Sequence, residues 1–177
     1  MSLRTADPPA ALLTAFADGL AAARTTTSWD APPVRIKSPL ALFVPRGDRL
    51  GNGLPCPTDQ IGWRCLVEGP ALADVVSNDE AWRFAGVERG PPVERFLAAI
   101  ETAEPLVSTE DVWTIGMVEI PELHASALWL SGPDNLFIPV SDPRPDHEAV
   151  AERDWPGRMV ALAKAVATAA DHQRGKR

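Results

Sequence analysis

Apolar positions along this chain recur with two periods, and the switches between them mark out its elements. Between residues 9 and 23, Leu12, Leu13, Phe16 and Leu20 return every three to four positions, the spacing of one helical face. Gly19 inside that run weakens the helix slightly. ARTTTSWDAPP follows without a period and reads as a connector. VRIKSPLALFV, residues 34–44, is rich in strand formers and split by Pro39. It predicts two short strands or one edge strand with a bulge, because proline cannot donate to a central ladder. Residues 45–60, PRGDRLGNGLPCPTDQ, have no period at all. A structureless stretch of that length is commonly functional.

IGWRCLVEG, residues 61–69, alternates: Ile61, Trp63 and Cys65 on one face, Arg64 and Leu66 on the other. PALADVVSNDEAWRFAG then predicts two short helical pieces. Ser77 and Glu80 have capping-box spacing ahead of Trp82 and Phe84, and Gly86 supplies a stop. Residues 92–104 predict a helix with Pro92 in its first turn, Val93, Phe96, Leu97 and Ile100 on its apolar face, and Pro105 at its end. DVWTIGMVEIP, residues 111–121, carries apolar groups on both faces and predicts a strand inside a covered sheet. HASALWL and NLFIPV predict a hairpin turned by SGPDN, with His124 at its mouth. A last helix starts at Asp154 and Pro156 and buries Met159, Leu162, Ala163 and Val166.

Helices and strands therefore come in runs, without a strict strand–helix alternation. The expected fold is α+β: a mostly antiparallel sheet of about five or six strands with flanking helices. One domain is expected over residues 1–172, followed by a disordered basic tail at 173–177.

Charge changes the picture more than composition does. Residues 1–60 hold six basic and five acidic groups, residues 61–150 five and sixteen, and residues 151–177 six and three. The net values are +1, −11 and +3, within a total of −7. An acidic middle repels phosphates, so no nucleic-acid partner is expected. It suits a basic protein partner, since complementary charge speeds encounter. It also serves solubility alone. Fourteen arginines against three lysines, with abundant alanine and proline, point to a GC-rich bacterial genome. No apolar run reaches the roughly 20 residues of a membrane span, so no membrane association is expected. ALLTAFADGLAAA is interrupted by Asp7 before it and Asp18 within it, which suits a helix better than a secretory signal. A cytoplasmic protein with reduced thiols is the expectation for Cys56 and Cys65.

Candidate chemistry is sparse. Phosphate-binding, dinucleotide-binding and nucleophile-elbow motifs are absent, and so is tyrosine. His124 lies near Glu119 and Glu122 and is the candidate general base, with Cys65 as its nucleophile if the two meet in space. Trp63, Trp113 and Trp129, all in predicted strands, are candidate walls of a small-ligand pocket; core filling is the plainer reading. Arg46, Asp48, Arg49 and Asn52 are candidate partner contacts on the glycine-rich loop. Asp146, His147 and Glu148 are adjacent and point apart, so no metal and no cofactor are expected. The leading functional expectation is a non-enzymatic interaction or accessory factor, immunity-like, acting through an acidic surface. The alternative is a small-ligand binder or hydrolase-like enzyme around Cys65, His124 and the strand tryptophans. A homodimer joined through a sheet face or edge is the third.

Overall fold

The computed structural model describes residues 3–26, 36–45, 59–67, 69–77, 81–107, 110–144 and 150–174. The fold is α+β: a mixed, mostly antiparallel eight-stranded open sheet with three helices packed on it. In chain order these are β1 (Leu3–Thr5), α1 (Ala10–Thr26), β2 (Ile36–Val44), β3 (Asp59–Val67), β4 (Ala71–Ser77) and β5 (Trp82–Glu88). After them come α2 (Pro91–Ala103), β6 (Trp113–Ile120), β7 (Ala125–Ser131), β8 (Asn135–Ser141) and α3 (Trp155–Arg174). The strand order is β5-β4-β3-β2-β6-β7-β8. β6 has two parallel neighbours on one flank: β1 along Trp113–Ile115 and β2 along Gly116–Val118. The other pairings are antiparallel.

Side chains leave the sheet on two sides. On one, α2 lays Val93, Phe96, Ala99 and Ala103 over Leu40, Leu42, Trp113, Ile115, Met117, Leu128 and Ile138. On the other, α1 places Leu12, Phe16 and Leu20 over Trp63, Cys65, Val67, Ala73 and Val75. Beside it, Trp155 and Met159 of α3 cover Val118, Ile120, Ala127, Trp129 and Phe137. Phe43 packs against both of these groups and joins them. β6 is thus covered on both faces, as its apolar run requires.

Several expectations change. The sheet has eight strands where five or six were expected. The two helical pieces expected over 70–86 are β4 and β5, antiparallel to each other. Gly69, at φ 91°, turns β3 back into β4, so the β-branched Val75 and Val76 enter a ladder. Ser77 ends a strand and caps no helix; Glu80 lies outside the described residues. β2 is one strand in the interior of the sheet, not an edge. Pro39 is accommodated because the register against β3 slips between Lys37 and Leu40, and pairing with β6 begins only at Ala41.

Ile61 was expected beside Trp63 yet packs on the α2 side. Leu42 and Phe43 pair with Gly62 and Gln60, so Ile61 is the unpaired bulge residue and the alternation breaks there. Leu13 is 44% exposed and Val166 51% exposed, so each falls outside its expected stripe, while Trp155 joins the α3 stripe. α3 runs through Arg174, so it includes the first two residues of the expected tail. Gly19 proves to be a contact point: a Cβ there would lie 2.1 Å from Phe84 Cγ.

Candidate functional site

Arg64 is the residue around which the site is built. Strand alternation puts it on the α2 side with Leu66, yet the position is almost fully buried. A buried guanidinium needs fixed acceptors, and β4 supplies one directly opposite, since Arg64 and Asp74 are register partners. Arg64 Nε donates to Asp74 Oδ1 at 2.7 Å and Nη2 to Asp74 Oδ2 at 2.6 Å, a bidentate pair. Nη2 also lies 2.8 Å from Glu119 Oε1, and Nη1 approaches Met117 Sδ at 3.4 Å. Burial opposes the charge on Arg64. Asp74, by hydrogen bond and charge, outweighs it with help from Glu119 and Glu88, and the guanidinium pKa is raised.

Glu119 is raised above the ordinary carboxylate range. Burial is the main cause. The negative charges of Asp74 and Glu88 add to it, and Arg64 pulls the other way.

Arg64 and Glu119 floor a cleft of about 440 Å³ between the start of α2 and the sheet. Glu88, Pro92, Arg95, His124, Ser126 and Ser141 contribute to its walls. Ser126 and Glu119 are register partners across β7 and β6, so they stand side by side on its floor. The first four residues of α2 offer no free backbone N–H to an anion. Pro91 and Pro92 have no N–H, and the N–H groups of Val93 and Glu94 donate to Gly90 O. His124 follows the short 3-10 turn Pro121–Leu123 and takes the left-handed conformation at φ 51°. Its carbonyl accepts a 2.9 Å bond from Ser141 Oγ, which ties the turn to β8.

The structure separates the sequence candidates. Cys65 is fully buried against α1, on the opposite side of the sheet from His124, so the two do not meet. Burial, with a contribution from the Asp74 charge, pushes the Cys65 thiol up to about 12. Glu122 is exposed on the 3-10 turn and lines a different, smaller groove against α3.

The three tryptophans do not line one pocket. Trp63 is buried under α1, Trp113 under α2 and Trp129 near α3. Trp129 donates from Nε1 to Asn135 Oδ1 at 2.9 Å and stacks edge-on against Phe43. Arg46, Asp48, Arg49 and Asn52 lie outside the described residues, as do Cys56, Asp146, His147 and Glu148. Among the described residues, no group of three His, Cys, Asp or Glu side chains is placed to hold a metal, and no helix is long and apolar enough to cross a membrane.

Sequence reasoning missed Arg64, Asp74, Glu88, Arg95 and Ser126. One signal was present: Arg64 alternates in step with Leu66, and a cation in an inward row requires a counter-charge. Asp74 was hidden by the helical reading of its segment. The chain matches no protein-family model, no curated protein and no solved structure.

Proposed function

We propose that this protein is a non-enzymatic binding factor of a bacterial cytoplasm, accessory or immunity-like, whose acidic α2 side receives a basic protein partner. The observation that carries the reading is the character of the cleft. Arg64 is consumed by Asp74 and Glu119, so Glu88 and the remainder of Glu119 set a negative potential on the floor. The flank extends it: Glu88, Glu94, Glu101 and Glu104 are exposed along residues 88–104, against Arg89 and Arg95. An activated nucleophile is missing from this picture. Among the described residues, the Cys65 thiol is across the sheet, and neither Ser126 Oγ nor the His124 ring has a hydrogen-bond partner.

The test is affinity capture from lysate of a bacterial host, repeated across a salt series with wild type and an E94Q/E101Q/E104Q variant. A basic protein that is held at low salt, released as salt rises and lost in the variant supports the reading. Capture that ignores both salt and the variant sinks it.

A second reading, a small-ligand site in the same cleft, draws support from a volume typical of such sites. A small molecule retained in native mass spectrometry, displaced without any protein partner, would favour it. Its hydrolase-like form has lost Cys65 as a nucleophile.

A further inference from the structure

We infer that Glu119 and Ser126 form a seat for a primary ammonium group, the side chain of a lysine on the partner, with Glu88 as the outer acidic group. The inference rests on the binding reading above and names the group that enters the cleft. Ser126 is 8% exposed, lines the cleft and faces the α2 side in step with Leu128 and Leu130. Its hydroxyl has no hydrogen-bond partner among the described residues and opens into the cleft, where a donor can reach it. Beside it, Glu119 spends Oε1 on Arg64 at 2.8 Å, while Oε2 has no partner among the described residues. The open valences on the floor are therefore a carboxylate oxygen and an adjacent hydroxyl.

The sign of the guest follows from the neighbours. An anion would find Arg64 already bonded to Asp74 and Glu119, and the α2 end without free N–H groups. It would also face Glu88 and Glu119, with Arg95 at the wall as the cation not bonded to them. A cation meets two acceptors side by side and a third carboxylate on the cleft wall. An ammonium fits better than a guanidinium because its three donors rotate around one compact centre, whereas the planar fork wants two oxygens of one carboxylate. Arg64 already uses that bidentate geometry on Asp74.

The probe is Nα-acetyl-lysine methylamide, titrated into 15N-labelled protein and followed by amide shifts. Saturable shifts centred on residues 119–126 are expected. Acetylating the probe's Nε, which removes its charge, should abolish them. E119Q should weaken binding tenfold or more and S126A severalfold, while D18N, on α1 at the far side of the sheet, should match wild type. E119Q and S126A are melted alongside to verify folding, and S126A serves alone if E119Q does not fold. Shifts that never saturate, or that persist equally in S126A and with the acetylated probe, overturn the inference.

The capture experiment separates this failure from that of the parent reading. A basic partner retained by both E119Q and S126A removes the seat and leaves the acidic surface in place.

Discussion

At single residues, the closest tolerances sit at Gly19, Cys65 and Glu119. G19A places a methyl inside Phe84, and the helix must back away from β5. Although alanine raises helix propensity, overpacking dominates, and a net loss of about 1–3 kcal/mol is expected. A fall in the urea midpoint at unchanged m-value would verify it; a gain in stability would mean that Phe84 rotates away freely.

Cys65 should label slowly with a thiol reagent near neutral pH, in proportion to global unfolding, because its thiol is buried and pushed up to about 12. Rapid labelling without denaturant would contradict its placement.

Glu119 makes a pH prediction of definite sign. Its folded pKa lies above the unfolded value of about 4.3, so the folded state binds the proton more tightly. Its charge costs stability at neutral pH, and that cost is relieved as pH falls through the folded value toward the unfolded one. Wild type should therefore gain on E119Q over that window in melts at stepped pH. A difference that stays flat would rule out the raised value.

Between elements, two polar devices fasten what apolar packing leaves loose. One is the Arg64–Asp74 pair, which locks β3 to β4 in register. D74A strands a buried guanidinium with Glu119 as its remaining ion-pair partner and Glu88 farther off, and a loss of about 3–5 kcal/mol is expected by chemical denaturation.

The other joins β8 to α3. Arg144 donates to both oxygens of Asp142, at 2.9 Å and 2.6 Å, and reaches Glu152 at 3.3 Å. Trp155 Nε1 donates to Asp142 Oδ2 at 2.9 Å, and Phe137 and Glu152 exchange backbone bonds. Burial alone would lift Asp142, but the bonds from Arg144 and Trp155 outweigh it and hold it below the usual range. Its contribution is thus complete above the unfolded pKa of about 3.9 and disappears as pH falls through the folded one. D142N should cost about 1–3 kcal/mol at neutral pH. The gap to wild type should shrink in strong acid, as read from urea midpoints at both pH values.

For the whole molecule, the sheet divides the labour. One side is closed by α1 and α3 over two adjoining cores bridged by Phe43. The other is covered by α2 over the β6–β8 half, and at the boundary of that cover the Arg64 cleft opens. A site at the edge of a helix's footprint is a natural place for charged groups. They keep access to water while the sheet beneath holds them rigid. The exposed carboxylates of α2, Glu94 and Glu101, belong to the helix whose first turn walls the cleft. The salt-dependent capture belongs at this scale, since it reads the summed field and not a single contact.

Periodicity alone determined much of this protein. The helical stripe Leu12, Phe16, Leu20, the α2 stripe through Val93 and Phe96, the doubly apolar β6 and the hairpin opening at His124 are all local patterns that survive folding. So does the α+β class, which needs only the order of those elements. The β4–β5 segment did not read correctly, because ALADVVS and WRFAGVE are short and ambiguous; a strand becomes favourable there only when β3 offers its ladder. Bulges at Ile61 and Pro39 shift the alternation by one, and no period reveals a bulge before its partner strand is known.

The site was hidden for the same reason. Arg64, Asp74, Glu119 and Ser126 come from four strands, and their meeting depends on strand order and register. Cys65 and His124 could act together only by meeting in space, and the sheet lies between them. Residue type sets which chemistry is available; the pairing of distant strands decides which groups share a face.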